Sequence, residues 1–186
     1  MTKMIKTFSM LLFASLLLAA CNKQPTIQEY YVQKQETDNF IAIDLPASLL
    51  KVSDDASEET KETMATIKKL NILAFKINET NEAEYKSEYT KVKEILKGKK
   101  YNELMRMKHE NMNVIINYQG DDDAINEFVL FAADNDRGFA LARVLGDKMQ
   151  PEKIMKMAND LKNIDSEGAS DAMAQISDLF GDVNIN

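Results

Sequence analysis

An α+β fold, with helices packed on a mixed sheet of about five strands, is predicted for this chain by three features of its sequence. Residues 112–118, 125–133 and 139–145 alternate or run apolar between Asp- and Gly-rich breaks, which reads as an antiparallel meander. Tyr85, Tyr89, Val92 and Leu96 recur at helical spacing and lay one apolar stripe along residues 82–97. The first half alternates strand-like and helix-like segments, giving the order β-α-β-α-β-β-β-α with an amphipathic tail helix behind it.

Each element has its own signal. Residues 22–38 are polar and start near Pro25, so with Cys21 they read as a lead of at most ~55 Å at ~3.3 Å per residue, in which Tyr30-Tyr31-Val32 could alternatively add an edge strand. Phe40 to Leu45 reads as a strand stopped by Pro46. Ser57 is placed to cap a helix in which Met64, Ile67 and Leu70 recur at near-helical spacing, and residues 72–77 form a second strand. The helix over 82–97 ends at Gly98, where a C-cap glycine is preferred, and a shorter helix over 101–108 follows. After the meander, Pro151 opens a helix at its first position, with Ile154, Met157 or Ala158, and Leu161 on one face. A polar stretch over 163–168 leads to the tail helix, with Ala172, Met173, Ile176, Leu179 and Phe180 on one side and Gly181 closing it. The domain so bounded covers residues 39–162, followed by the linker and tail over 163–186.

Half-buried strands alternate cleanly, but residues 72–75 and 128–133 are apolar on both sides. Both faces at the centre of the sheet are therefore expected to be covered. Three helices could fill one face, with the lead, the tail helix or a partner covering the other; alternatively, these strands simply lie between two helix layers.

Residues 1–20 read as a signal peptide: Lys3 and Lys6 give a positive start, Phe8 to Leu18 an apolar centre, and Ala19-Ala20 a small-residue approach to cleavage. The apolar run from Phe8 to Ala20 falls short of the about 20 residues that span hydrocarbon. Leu18-Ala19-Ala20-Cys21 resembles the bacterial lipobox, in which the cysteine thiol receives a diacylglyceryl group, a peptidase cuts before it, and the freed amine is often acylated, commonly with palmitate. Cys21 is the one cysteine in the chain and stands where that chemistry needs it, which makes it the candidate lipidation site. An ordinary secretory signal, leaving Cys21 a free thiol, is the alternative. Two or three acyl chains at ~0.8 kcal/mol per buried methylene hold a protein on a bilayer where one chain does not. Asn22 follows the cysteine in place of the Asp that resembles inner-membrane retention signals, so the expected location is the outer membrane with the body facing the periplasm.

Without residues 1–20 the 23 basic residues lose Lys3 and Lys6 while all 30 acids remain, a net charge of −9. That balance argues against non-specific binding of nucleic acid by the body. The remaining length suits one domain with a real core. With Cys21 taken by lipid, no disulfide, thiol catalysis or zinc–cysteine site is available.

No catalytic constellation, cofactor motif or complete metal-ligand set is read. His109 is the sole histidine, and no partner at motif spacing equips it as a general base. Glycine-rich phosphate loops, a serine nucleophile elbow and a two-histidine zinc helix are missing from the sequence. Two acidic turns, Asp121-Asp122-Asp123 and Asp134-Asn135-Asp136-Arg137-Gly138, could attract calcium. The second resembles the start of an EF-hand loop but carries Gly at position five and Leu145 where the bidentate Glu belongs. Asp, Asn and Gly are equally the residues that hairpin turns select. Lys97, Lys99, Lys100, Arg106 and Lys108 form the one basic cluster; it could grip lipid phosphates or a carboxylated glycan, or simply complement a helix C-terminus. The eight methionines outside the signal, including Met105, Met107, Met155 and Met157, could suggest a copper site or a pliable binding surface, but core packing at helical spacing accounts for most of them.

The lipobox, the acidic body, the tract Lys100-Tyr101-Asn102-Glu103-Leu104-Met105 ahead of the meander, and Leu145-Gly146-Asp147 before the last domain helix together resemble the Bacteroidota lipoproteins grouped as domain of unknown function 4252. The resemblance implies an α+β cell-envelope lipoprotein with no assigned catalytic residues, and hints at envelope stress or signalling. The expected function is that of a non-enzymatic, lipid-anchored module that binds a protein or another envelope component. A small-ligand or ion-binding lipoprotein is the alternative, and a hydrolase using two acids about 5 to 9 Å apart ranks last.

Overall fold

In a computed structural model of the chain the described residues are 24–50, 56–109 and 111–160. They form one six-stranded sheet, antiparallel at every pairing, in the order β1-β2-β6-β5-β4-β3. The strands are β1 Phe40–Pro46, β2 Ile67–Lys76, β3 Asn102–His109, β4 Met112–Asp121, β5 Ala124–Asp134 and β6 Gly138–Met149. Four helices accompany them: α1 Ile27–Lys34, α2 Glu58–Ala65, α3 Glu82–Leu96 and α4 Pro151–Asp160. The α+β class is as expected, but the sheet is purely antiparallel and has six strands, where a mixed sheet of about five was expected.

Three local differences explain the change. Residues 102–109, expected as a helix, are edge strand β3: Met105 and Met107 pair opposite Ile116 and Val114, while Arg106 and Lys108 alternate to the other face. Cross-strand pairing here overrides the helix preference of Leu, Met, Arg and Lys. Ile67 and Leu70 belong to β2, because α2 stops at Ala65 and the chain turns directly into a strand paired on both sides. Residues 27–34, expected within a flexible lead over 21–38, form α1. Thr26 accepts a hydrogen bond from the Glu29 N–H, and the Glu29 carboxylate accepts one from the Thr26 N–H, a complete capping box. Cys21, the linker and the tail helix over 163–186 lie outside the described residues.

The register sorts residues onto two faces. On the first, Phe40, Phe75 and Phe139 stand side by side, next to the row Leu73, Leu141, Phe131 and Ile115. Onto them pack Ile27, Tyr30 and Tyr31 of α1 and Tyr85, Val92, Ile95 and Leu96 of α3. α3 joins β2 to β3 and so crosses this face towards the far edge of the sheet. Rings from both helices and the sheet meet at centroid distances such as 5.1 Å for Phe40–Phe75 and 5.7 Å for Tyr89–Phe131. On the second face, Ile67, Ile116, Ile125, Phe128 and Met149 cluster with Ile154 and Met157 of α4 and with Met64 of α2. Lys156 of α4 pairs with Glu59 of α2, tying the two covering helices together.

Gly98 is the C-cap region's glycine, yet its backbone is not left-handed; among the described residues only Gly120, Gly138 and Lys148 have positive φ. Its constraint is space, since a Cβ there would lie 2.9 Å from the Ile95 carbonyl oxygen and 3.0 Å from Gln24 Oε1.

Candidate binding surfaces

One row of the first face is polar. Asp44, Asn71, Arg143, Val129 and Asn117 are successive register partners across β1, β2, β6, β5 and β4. Arg143, 7% exposed, donates from Nε to Glu127 Oε1 at 2.7 Å and from Nη2 to Glu127 Oε2 at 3.2 Å. It also donates to Asn71 Oδ1 at 3.4 Å and, from Nη2, to Gln28 Oε1 of α1 at 3.2 Å. Asn71 Nδ2 donates to Asp44 Oδ1, and Lys69 pairs with Asp44 at 2.7 Å. Burial, and then the Glu127 charge, push the neighbouring Tyr101 hydroxyl up to about 12. Each charge in this row has a protein partner, so the row serves to fasten α1 to the sheet rather than to await a ligand.

A second tie joins α1 to α3. Buried Glu88 accepts hydrogen bonds from Tyr30 Oη at 2.9 Å, Lys34 Nζ at 2.9 Å and Lys91 Nζ at 2.7 Å. Burial raises its carboxyl, but those three donors outweigh it and hold the group below the usual glutamate range.

The second face is apolar across all six strands. Its upper rows read Ile41, Ala74, Ala140, Ala132, Val114, Met107 and Ile43, Ile72, Ala142, Leu130, Ile116, Met105. The small cluster of Ala74 and Ala140 with Ile41 contains sheet residues only. Leu130 is 38% exposed near the centre of this face and Met107 45% exposed at its edge; neither belongs to the cluster that α2 and α4 cover, although their register partners Ile116 and Val114 do. Four alanines, Ala74, Ala132, Ala140 and Ala142, stand in these rows.

A cleft of about 200 Å³ opens between α3 and β3–β4, lined by Lys93, Lys97, Tyr101, Arg106, Ile115 and Asn117. Asn117 is 2% exposed and donates to the Leu96 carbonyl at 3.4 Å, while its Oδ1 is a buried atom without a hydrogen-bond partner.

The sequence candidates fall in different places. Cys21 lies outside the described residues. His109 ends β3, opposite Met112 in register. Asp134 Oδ1 accepts from the Asp136 and Arg137 backbone N–H groups at 2.8 and 3.0 Å, the Asp134 carbonyl accepts from Tyr85 Oη at 2.9 Å, and Asp136 accepts from Asn111 Nδ2 at 3.1 Å. Those bonds build the turn. Asp122 accepts from Tyr118 Oη in the other acidic turn. Among the described residues no three His, Cys, Asp or Glu side chains converge as a metal site. The basic cluster divides, with Lys97, Lys99 and Lys100 exposed on the turn between α3 and β3, and Arg106 paired to Glu103 on β3 at 2.6 Å. The polar row was not foreseen, although a lone Arg143 inside the apolar run 139–145 was its sequence signal. No described helix is long and apolar enough to cross a membrane.

The fold and these surfaces define an α+β protein in which one antiparallel sheet carries a pair of helices on each face, the first face roofed over its aromatic centre and the second roofed in part by the described helices. The chain belongs to the family described as domain of unknown function (DUF4252), whose model matches residues 30–157. That span runs from within α1 to within α4, so it includes much of the helix that replaces the expected lead. No curated protein and no solved structure matches the chain.

Proposed function

We propose that this DUF4252 chain is a cell-envelope lipoprotein, anchored through lipid on Cys21, whose domain is a non-catalytic module that binds an envelope protein through the second face of its sheet. The observation that carries this reading is the pair of apolar rows across six strands, with Leu130 and Met107 exposed on them. Half-buried Ile41, Ile43, Met105, Val114, Ala132 and Ala142 share those rows, while Ile72, Ala74, Ile116 and Ala140 are buried beneath them; apolar surface left accessible in this way marks interaction sites on soluble domains. The anchor rests on the lipobox-like tract ending at Cys21. The partner is expected to act in envelope stress or signalling, and the membrane is the outer one with the body facing the periplasm. The test is photo-crosslinking in the native organism from a photoreactive residue at position 130 or 107, with position 135 as control. A discrete adduct from the first two alone supports the reading; no adduct, or the same adduct from position 135, overturns it. Cys21→Ser should move the protein out of the membrane fraction, and unchanged fractionation refutes the anchor.

The cleft at Asn117 favours a second reading, a small-ligand lipoprotein. Its orphan Oδ1 would take a ligand's hydrogen-bond donor, and Lys93 and Lys97 favour an anionic group on the same molecule.

A further inference from the structure

We infer that the turn between α3 and β3 is a membrane-facing surface, on which Lys97, Lys99 and Lys100 meet the phosphates of the lipid headgroups around the anchor and set the orientation of the domain on the bilayer. This rests on the lipid anchor at Cys21.

The chain just after the anchor is pinned to that turn. Gln24 Oε1 would lie 3.0 Å from a Cβ at Gly98, so the Gln24 side chain rests directly on the glycine between Lys97 and Lys99. The Ile27 N–H donates to Tyr101 Oη at 3.1 Å, one residue past Lys100. Gln24 and Pro25 line one hollow with Lys91 and Ile95 of α3, and Thr26 and Val32 line another with Lys100. Cys21 and Gln24 are three residue steps apart, with Asn22 and Lys23 between them, a reach of at most ~11 Å at ~3.6 Å per residue. A lipid on Cys21 therefore holds this turn about one Debye length, roughly 8 Å at physiological salt, from the headgroups. Free in solution the domain's net negative charge opposes an anionic surface; held at this distance, the nearest charges decide.

Those charges are unengaged cations. Lys97, Lys99 and Lys100 are exposed and make no ion pair among the described residues, whereas Lys91 is paired with Glu88 and Arg106 with Glu103. Of the acids lining these hollows and the neighbouring cleft, Glu103 is paired with Arg106, while Glu29 beside Lys100 and exposed Glu94 remain as opposing charges. A helix C-terminus accounts for a lysine at 97 but not for two more beyond the helix end. Val32, 57% exposed beside Lys100, adds an apolar contact at the same surface.

The test places a fluorophore, through an unnatural amino acid, at position 33 on α1 or at position 135 in the β5–β6 turn at the opposite end of the sheet. The lipidated full chain is inserted into vesicles of phosphatidylcholine, alone or mixed with phosphatidylglycerol, that carry a headgroup acceptor dye. Energy transfer at position 33 should exceed that at 135, and the gap should widen in the anionic vesicles. Each lysine near an anionic surface is worth about fivefold in attraction, so K97E/K99E/K100E should abolish the widening and K99E alone should reduce it. Equal transfer from the two positions, or a widening that survives the triple variant, overturns the proposal. The mass of the N-terminal peptide reports the lipid separately. If Cys21 is unmodified, the anchor reading fails, and the same chain coupled through its Cys21 thiol to a maleimide lipid runs the identical comparison.

Discussion

Arg143 on β6 and Glu127 on β5 form a two-point ion pair, 2.7 and 3.2 Å, on a sheet face that α1 covers. Taking two charges out of water is costly, and the pair is tolerable because Asn71 and Gln28 accept two of the three remaining guanidinium protons. Removing one partner leaves the other charge buried and alone. Arg143→Ala and Glu127→Ala should each destabilise the domain by about 3–5 kcal/mol in urea unfolding, whereas the apolar pair Arg143→Met with Glu127→Leu should recover much of that loss. A double variant as unstable as the sum of the singles would show that the pair is not the relevant unit.

Glu88 predicts an acid limit. Its folded carboxyl is held below the ordinary value of 4.5, so the unfolded chain binds the proton first as pH falls. Its contribution is therefore present above pH 4.5 and is lost as pH falls through the depressed folded value. Glu88→Gln removes the charged acceptor of three bonds and should cost about 1.5–3 kcal/mol at neutral pH. The difference between the two proteins should shrink in unfolding titrations carried below pH 4.5, and a constant difference down to pH 3 would refute the assignment.

The β5–β6 turn predicts sensitivity to backbone rather than to metal. Gly138 has φ +134° and a Cβ there would fall 1.9 Å from the Phe75 carbonyl oxygen. Gly138→Ala should therefore unfold the domain or lower its Tm sharply, by more than the ~1 kcal/mol of an ordinary Gly/Ala exchange. Because the Asp134 carboxylate is occupied by two backbone N–H groups, calcium and EDTA should leave the Tm of the parent protein unchanged. A calcium-dependent rise in Tm would show that the turn opens to bind the ion.

What was legible in the sequence follows from how many neighbours decide each element. α3 carries its own stripe in Tyr85, Val92 and Leu96, and β4 to β6 carry their alternation with turn residues between them, so local reading sufficed. β3 is an edge strand made of good helix formers, and only its partner β4 decides its shape. α1 hid behind Tyr30, Tyr31 and Val32, which favour strands, while the Thr26–Glu29 capping box that starts it was a readable helix signal. Of the candidate surfaces, the apolar second face was visible as strands without clean alternation. The polar row was not, because direct partners in it such as Asn71 and Arg143 lie 72 residues apart and meet only through register.

That row also bears on how the sheet finds its alignment. A slip of one residue exchanges the two faces, but strands apolar on both sides, such as Ile72-Leu73-Ala74-Phe75, feel that exchange only weakly. A slip of two residues leaves every side chain on its own face, and the apolar rows alone hardly oppose it. Shifted by two, however, Arg143 would face Leu73 or Lys69 in place of Asn71, and the link that Asn71 makes between Arg143 and Asp44 would be broken. The charged line across β1, β2 and β6 thus acts as a vernier, rejecting the misalignments to which hydrophobic patterning is blind.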